Sequence, residues 1–172
     1  MDGKEIYATR GKIFRSVSLA HVYVLTSTSE LVDQHCDYFS AMFGSNMKET
    51  TQSTIPIQNF SYDLTSPFLE FLHIGNASDI TSRSIEDLAK LLEVAEVFFS
   101  DPFSDFIELE LIRRLTLENV SEIYNLAVDN SLVHVLHGSF EFLKKNSEKA
   151  LNSPRSMDVA RHYLTARLRG DL

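Results

Sequence analysis

The stretch "SIEDLAKLLEVAEVFF", residues 84–99, constrains the fold of this chain more than any other. At 3.6 residues per turn, Ile85, Leu88, Ala89, Leu92, Ala95 and Phe99 fall on one stripe, and Leu91, Val94 and Phe98 on a second beside it. So wide an apolar surface predicts a helix packed on more than one side, near the centre of a domain. Ser84 with Asp87 three residues on has the form of a capping box, which starts the helix there.

Other helices are punctuated as clearly. "SPFLEFLHIG", residues 66–75, predicts a helix with Ser66 as N-cap, Pro67 at the first position and Gly75 as terminator. Asp101 and Pro102 open another that carries Phe103, Phe106 and Ile107. The last third reads as helices only. One opens at Thr116 with Leu117, Val120, Tyr124 and Ala127 on a face; the next follows Asp129-Asn130 with Leu132, Val135, Leu136, Phe140 and Leu143. The final one starts at Ser153-Pro154, shows Met157, Ala160, Leu164 and Leu168, and ends in Arg167 and Arg169, whose charge suits a helix C-terminus.

Strand signals are confined to the first third of the chain. Val17 and Leu19 alternate with serines, and "HVYVL" follows at residues 21–25, which predicts a two-stranded hairpin. "TIPIQ" around Pro56 predicts a short strand at a sheet edge. Between them the period turns helical, with Leu31 and Val32 in one short helix and Tyr38, Phe39, Met42 and Phe43 on one face of the next, stopped by Gly44. The expectation is an α+β fold, predominantly helical.

With 172 residues, 44% of them hydrophobic, the chain can bury a core of one domain with an appendage. Its net charge of −8 argues against nonspecific binding to nucleic acid or an anionic membrane, both of which need a basic field. The single cysteine, Cys36, excludes an internal disulfide, and the charged first twenty residues leave no room for an apolar leader. A reducing compartment, cytoplasm or nucleus, is expected.

Catalytic and metal signals are weak. Cys36 neighbours His35, but adjacent helical residues point about 100° apart, and a lone cysteine usually serves as a small buried hydrophobe. His134 and His137 have ligand-like spacing without a third ligand beside them. Glycine-rich phosphate loops, H-E-x-x-H and G-x-S-x-G are missing from the sequence. No catalytic residue, metal or cofactor is expected, and an enzyme is the weaker class of explanation.

The order "DYFSAMF", "MKET", a short strand, "FLEFLHIG", "EDLAKLLEVAEVF" and "LTLENVSEIYNLAV" resembles the BTB/POZ domain followed by the helical pair called the 3-box, or the start of a BACK region. The similarity covers roughly residues 15–146. It implies a small sheet flanked by a helix cluster over residues 12–115, with a helical extension over residues 116–172, used for protein interaction rather than catalysis. BTB domains with a 3-box typically serve as substrate adaptors for cullin-3 ubiquitin ligases. Their hydrophobic-x-Glu motif, in the loop after the Tyr-Phe helix, contacts the cullin N-terminal domain. Here that position reads Met47-Lys48-Glu49, so the resemblance implies Met47 and Glu49 as the cullin-facing residues.

A loop methionine can also fold back onto Phe43, and the motif's form recurs elsewhere, as in Phe68-Leu69-Glu70 and Val94-Ala95-Glu96, both on predicted helices. The family's F-x-A-H and Asp-Val positions here read Leu25-Thr26-Ser27-Thr28 and Ser16-Val17, which weighs against a family-style homodimer. Kelch blades, a MATH domain or zinc fingers are not recognisable in this sequence, so if it is the whole protein its substrate-recruiting part is unidentified. The alternative to a cullin-3 adaptor is a BTB scaffold that homo- or hetero-oligomerises without a cullin.

Overall fold

The computed structural model describes residues 5–9, 12–16, 22–24, 36–38, 41, 55–57 and 60–170. The chain forms two compact units, Met1–Ile107 and Glu108–Leu172, whose boundary falls inside a helix.

In the first unit, β1 (Glu5–Thr9) pairs antiparallel with β2 (Lys12–Ser16), Tyr7 standing opposite Phe14. Separately, β3 (Val22–Val24) pairs antiparallel with β4 (Ile55–Ile57), Tyr23 opposite Pro56. The single small sheet expected from the family resemblance is therefore not seen: the described strands make two separately hydrogen-bonded two-stranded ladders in a chain dominated by helix. Of the expected hairpin, only part of the second strand is described. Val17 and Leu19 lie outside the described residues, and β3 takes β4 as its partner. Only two residues separate β1 from β2, so closing that pair costs least in chain entropy. β1 was not foreseen because its glutamate and the flanking charges blur the alternation.

Helix α1 (Tyr62–Ile74) begins earlier than expected, with Ser61 at its N-cap, so Pro67 lies inside the helix rather than at its start. Proline has no N–H to offer the carbonyl four residues back, which is that of Asp63. The Arg83 guanidinium donates to this carbonyl at 2.8 Å, replacing the missing helical bond from outside. Gly75 ends the helix as expected, in the left-handed region at φ 68°, its N–H donating to the Phe71 carbonyl at 2.7 Å.

Helix α2 (Ile85–Val97) starts at Ser84, whose hydroxyl accepts from the Asp87 N–H at 3.1 Å. Its two stripes bury Leu88, Leu91, Leu92, Val94 and Ala95, as a central helix requires. Helix α3 (Asp101–Arg113) follows. Rings from these elements form the core of the first unit: Phe68 stacks on Phe98 at 4.9 Å and packs against Phe103 at 5.2 Å, and Phe71 touches both Phe103 and Phe106.

In the second unit, Thr116 and Asn119 cap each other reciprocally: the Thr116 N–H donates to Asn119 Oδ1 at 2.7 Å, and the Asn119 N–H to Thr116 Oγ1 at 3.2 Å. They precede α4 (Val120–Asp129), which buries Val120, Ile123, Tyr124 and Ala127. Then come α5 (Val133–Lys145), a single turn α6 (Ser147–Ala150) and α7 (Pro154–Arg169). Ser153 and Pro154 start α7 as expected, but its buried face is not the expected one. Ser156, Val159 and Tyr163 point inward, while Met157 and Leu164 are exposed and Leu168 is 89% exposed. Tyr163 decides the rotation, because its ring stacks on Phe140 at 4.4 Å and its hydroxyl meets His137 Nδ1 at 2.8 Å. Burying a ring with a satisfied hydroxyl outweighs burying Met157 or a leucine near the helix end.

Candidate functional site

Helix α2 ends in an unusual corner. The Ser100 N–H reaches back to the Ala95 carbonyl at 2.9 Å and the Phe99 N–H to the Glu96 carbonyl at 3.1 Å, which together make a Schellman motif. Its left-handed position normally belongs to glycine, yet Phe99 occupies it at φ 50°. Sequence reasoning placed Phe99 on the buried stripe. Instead the left-handed turn directs it outward, 66% exposed, while Phe98 stays in the core.

That corner anchors the beginning of the Tyr38 helix. Cys36 Sγ donates to the Phe98 carbonyl at 3.1 Å, the Asp37 N–H donates to the Phe99 carbonyl at 3.3 Å, and the Tyr38 ring meets Phe98 edge-on at 5.3 Å. Tyr38 is 40% exposed, so two aromatic rings lie near the surface around this turn. Cys36 itself is buried, with its thiol bonded to the main chain, the arrangement of a structural cysteine rather than an accessible nucleophile. His35 lies outside the described residues.

Met47 and Glu49, the expected partner-facing pair, also lie outside the described residues. The segments of the same form at Phe68 and Val94 do not. Phe68, Leu69, Val94 and Ala95 are all buried in helices, and Glu70 accepts from the Ser78 N–H and hydroxyl at 3.1 Å each. Neither hydrophobic residue can meet a partner without unfolding the core. Of the histidine pair, His134 is exposed on α5, while His137 Nδ1 is engaged by Tyr163.

The second unit holds a cavity of about 290 Å³ bordered by α4, α5 and α7. Val128, Val133, Leu136 and Ala166 supply its apolar lining. Its polar groups are Tyr124, whose hydroxyl lies 2.9 Å from His162 Nδ1, and Arg169, with Ser131 and Thr165 contributing hydroxyls. Ser131 reaches it because α4, like α2, ends in a Schellman motif with a non-glycine residue at the left-handed position, here at φ 57°. Burial, and secondarily the neighbouring Tyr163, raise the Tyr124 pKa above its ordinary 10.0. The hydroxyl thus keeps its proton at neutral pH and shares a hydrogen bond with His162 Nδ1. Sequence reasoning counted Tyr124 as core and passed over His162 and Arg169. No local pattern could pair them, because 38 residues separate Tyr124 from His162.

A family model for the BTB/POZ domain matches residues 20–115, more than half of the chain. The human "Kelch repeat and BTB domain-containing protein 3" is 27% identical over 78% of this chain and 24% of its own length. Its mouse counterpart is 29% identical over 88% of this chain and 29% of its own length. "Kelch-like protein 9" of Mus musculus is 27% identical over 68% of this chain and 18% of its own length. The chain thus spans about a quarter of the length of the curated relatives it matches. Helix order and burial over residues 60–115 fit that match, and the chain belongs to the BTB/POZ domain family.

Proposed function

We propose that this chain is a protein-interaction adaptor whose BTB domain, residues 12–115, engages the N-terminal domain of cullin-3, with residues 116–172 as a helical extension. Met47 is the apolar anchor and Glu49 the orienting charge. The observation that carries the reading is the place of Met47-Lys48-Glu49 within the family match at residues 20–115, between Tyr38 and β4 in sequence, while Phe68 and Val94, which head two other hydrophobic-x-Glu segments, are buried in helices. Membership of the BTB/POZ family and similarity to kelch-bearing BTB proteins support an adaptor role. The exposed rings of Tyr38 and Phe99 add to the reading, because they flank the start of the segment that runs on to Met47. Methionine suits an adaptable interface, and an apolar anchor ringed by polar residues is a common centre of binding energy. Burying Met47 contributes about 1.5 to 3 kcal/mol, enough to matter in a micromolar complex.

Calorimetric titration of the purified chain with the cullin-3 N-terminal domain tests this, alongside Met47→Asp and Glu49→Lys variants shown to fold by circular dichroism. The expected result is binding by the wild type that Met47→Asp abolishes and Glu49→Lys weakens. A well-folded wild type that does not bind refutes the cullin assignment and leaves an oligomerising BTB scaffold as the reading.

A further inference from the structure

The cavity of the second unit has a chemistry that the adaptor reading does not use. Its volume of about 290 Å³ lies at the lower end of ligand pockets, room for one side chain and a small polar group rather than a cofactor. Its walls are aliphatic, formed by Val128, Val133, Leu136 and Ala166. Its polar complement is unbalanced toward donors. Arg169 makes no ion pair among the described residues, and the Tyr124 hydroxyl is hydrogen-bonded to His162 Nδ1 at 2.9 Å.

Among the described residues no acidic side chain lines this cavity, although the chain as a whole carries a net charge of −8. A neighbouring depression that shares Tyr124, Val128 and His162 is lined by Glu122 and Asp158 together with Arg155, so acidic groups border that depression. An occupant that fits the cavity therefore has an aliphatic body and a carboxylate. Those two features together are what the end of a polypeptide presents when its last residue is apolar.

We propose that this cavity captures the C-terminal residue of a partner protein, its carboxylate on the Arg169 guanidinium, its aliphatic side chain against Val128, Val133, Leu136 and Ala166. Arginine presents two parallel N–H groups to a carboxylate, which fixes orientation as well as charge. Discrimination follows from chemistry. An amidated or internal residue loses the charge-assisted bonds, and an acidic last residue loses the apolar contact. As the recruiting site of an adaptor the cavity rests on the function proposed above; as a carboxylate site it stands apart from the cullin contact.

Fluorescence anisotropy on the full chain tests the proposal with a labelled peptide, Gly-Ser-Gly-Ser-Ala-Leu, bearing a free C-terminal carboxylate. The same peptide amidated, and a free-acid version ending in Asp, serve as comparisons. The free-acid leucine peptide binds, and amidation weakens it by about tenfold or more, the loss expected for a charge-assisted bond. Arg169→Gln removes the difference between acid and amide, and Ala166→Phe, which fills the cavity, weakens both. Equal binding of acid and amide, or wild-type binding by both variants, overturns the proposal. Hexanoate that binds while the peptides do not overturns it too, by assigning the site to a small molecule. Cullin-3 binding is measured on the same Arg169→Gln sample: its retention shows that the two sites are independent, so either proposal can fail without the other.

Discussion

Phe99 holds a left-handed backbone that costs an L-residue about 1 to 2 kcal/mol, while its ring lies 66% exposed and so recovers little by burial. Phe99→Gly removes that cost at the position of the Schellman motif where glycine is preferred. The expected outcome is a stability gain of about 1 kcal/mol, measured as a higher urea midpoint at unchanged slope. If the ring belongs to the cullin-facing surface, the same variant binds the cullin-3 N-terminal domain more weakly. A stabilised variant with wild-type affinity removes Phe99 from that surface. Ser131 shows the same departure at the end of α4. At this scale the sequence was a partial guide: it marked residues 98 and 99 as one apolar block, but which ring turned inward depended on a backbone conformation that composition does not announce.

At the scale of the element, α1 shows how a helix survives an internal proline. Pro67 leaves the Asp63 carbonyl without its helical donor, and Arg83 supplies one from 20 residues away in sequence. Arg83 also pairs with Asp79, which orients the guanidinium. A double-mutant cycle measures this dependence. Arg83→Ala costs about 1 kcal/mol or more with Pro67 in place, and less in the Pro67→Ala background, where the helix restores its own bond. Equal costs in the two backgrounds, from urea unfolding, show that the contact does not compensate for the proline. Helix existence and most boundaries were legible because caps and terminators are local: Ser84 and Asp87, Gly75, Ser153 and Pro154 all act where they stand. The start of α1 was not, because a proline inside a helix is tolerable only when a distant donor replaces the lost bond.

For the chain as a whole, the second unit is held by tyrosine–histidine pairs: Tyr124 with His162 joins α4 to α7, and His137 with Tyr163 joins α5 to α7. Arg167 adds a donor to the Tyr163 hydroxyl at 3.1 Å. Because burial raises the Tyr124 pKa above its ordinary 10.0, the pH dependence has a definite sign. The stabilising contribution is fully present below about pH 10 and is lost as pH rises through the raised value, where the folded state must accept a buried phenolate. Urea midpoints between pH 8 and pH 11 are expected to fall less steeply in Tyr124→Phe than in the wild type, as read by far-UV ellipticity. Parallel slopes remove Tyr124 from the alkaline response. What the sequence determined by itself was local and periodic: the central helix, the caps, the succession of helices in the last third, and the order of blocks that marks a BTB/POZ domain. Tertiary structure alone decided the two separate strand pairs, the inward face of α7 and the cavity with Arg169 and His162. The reason is physical: caps and amphipathic stripes are satisfied within a few residues, whereas strand partners, helix rotation and a shared cavity depend on groups that only the folded chain brings together.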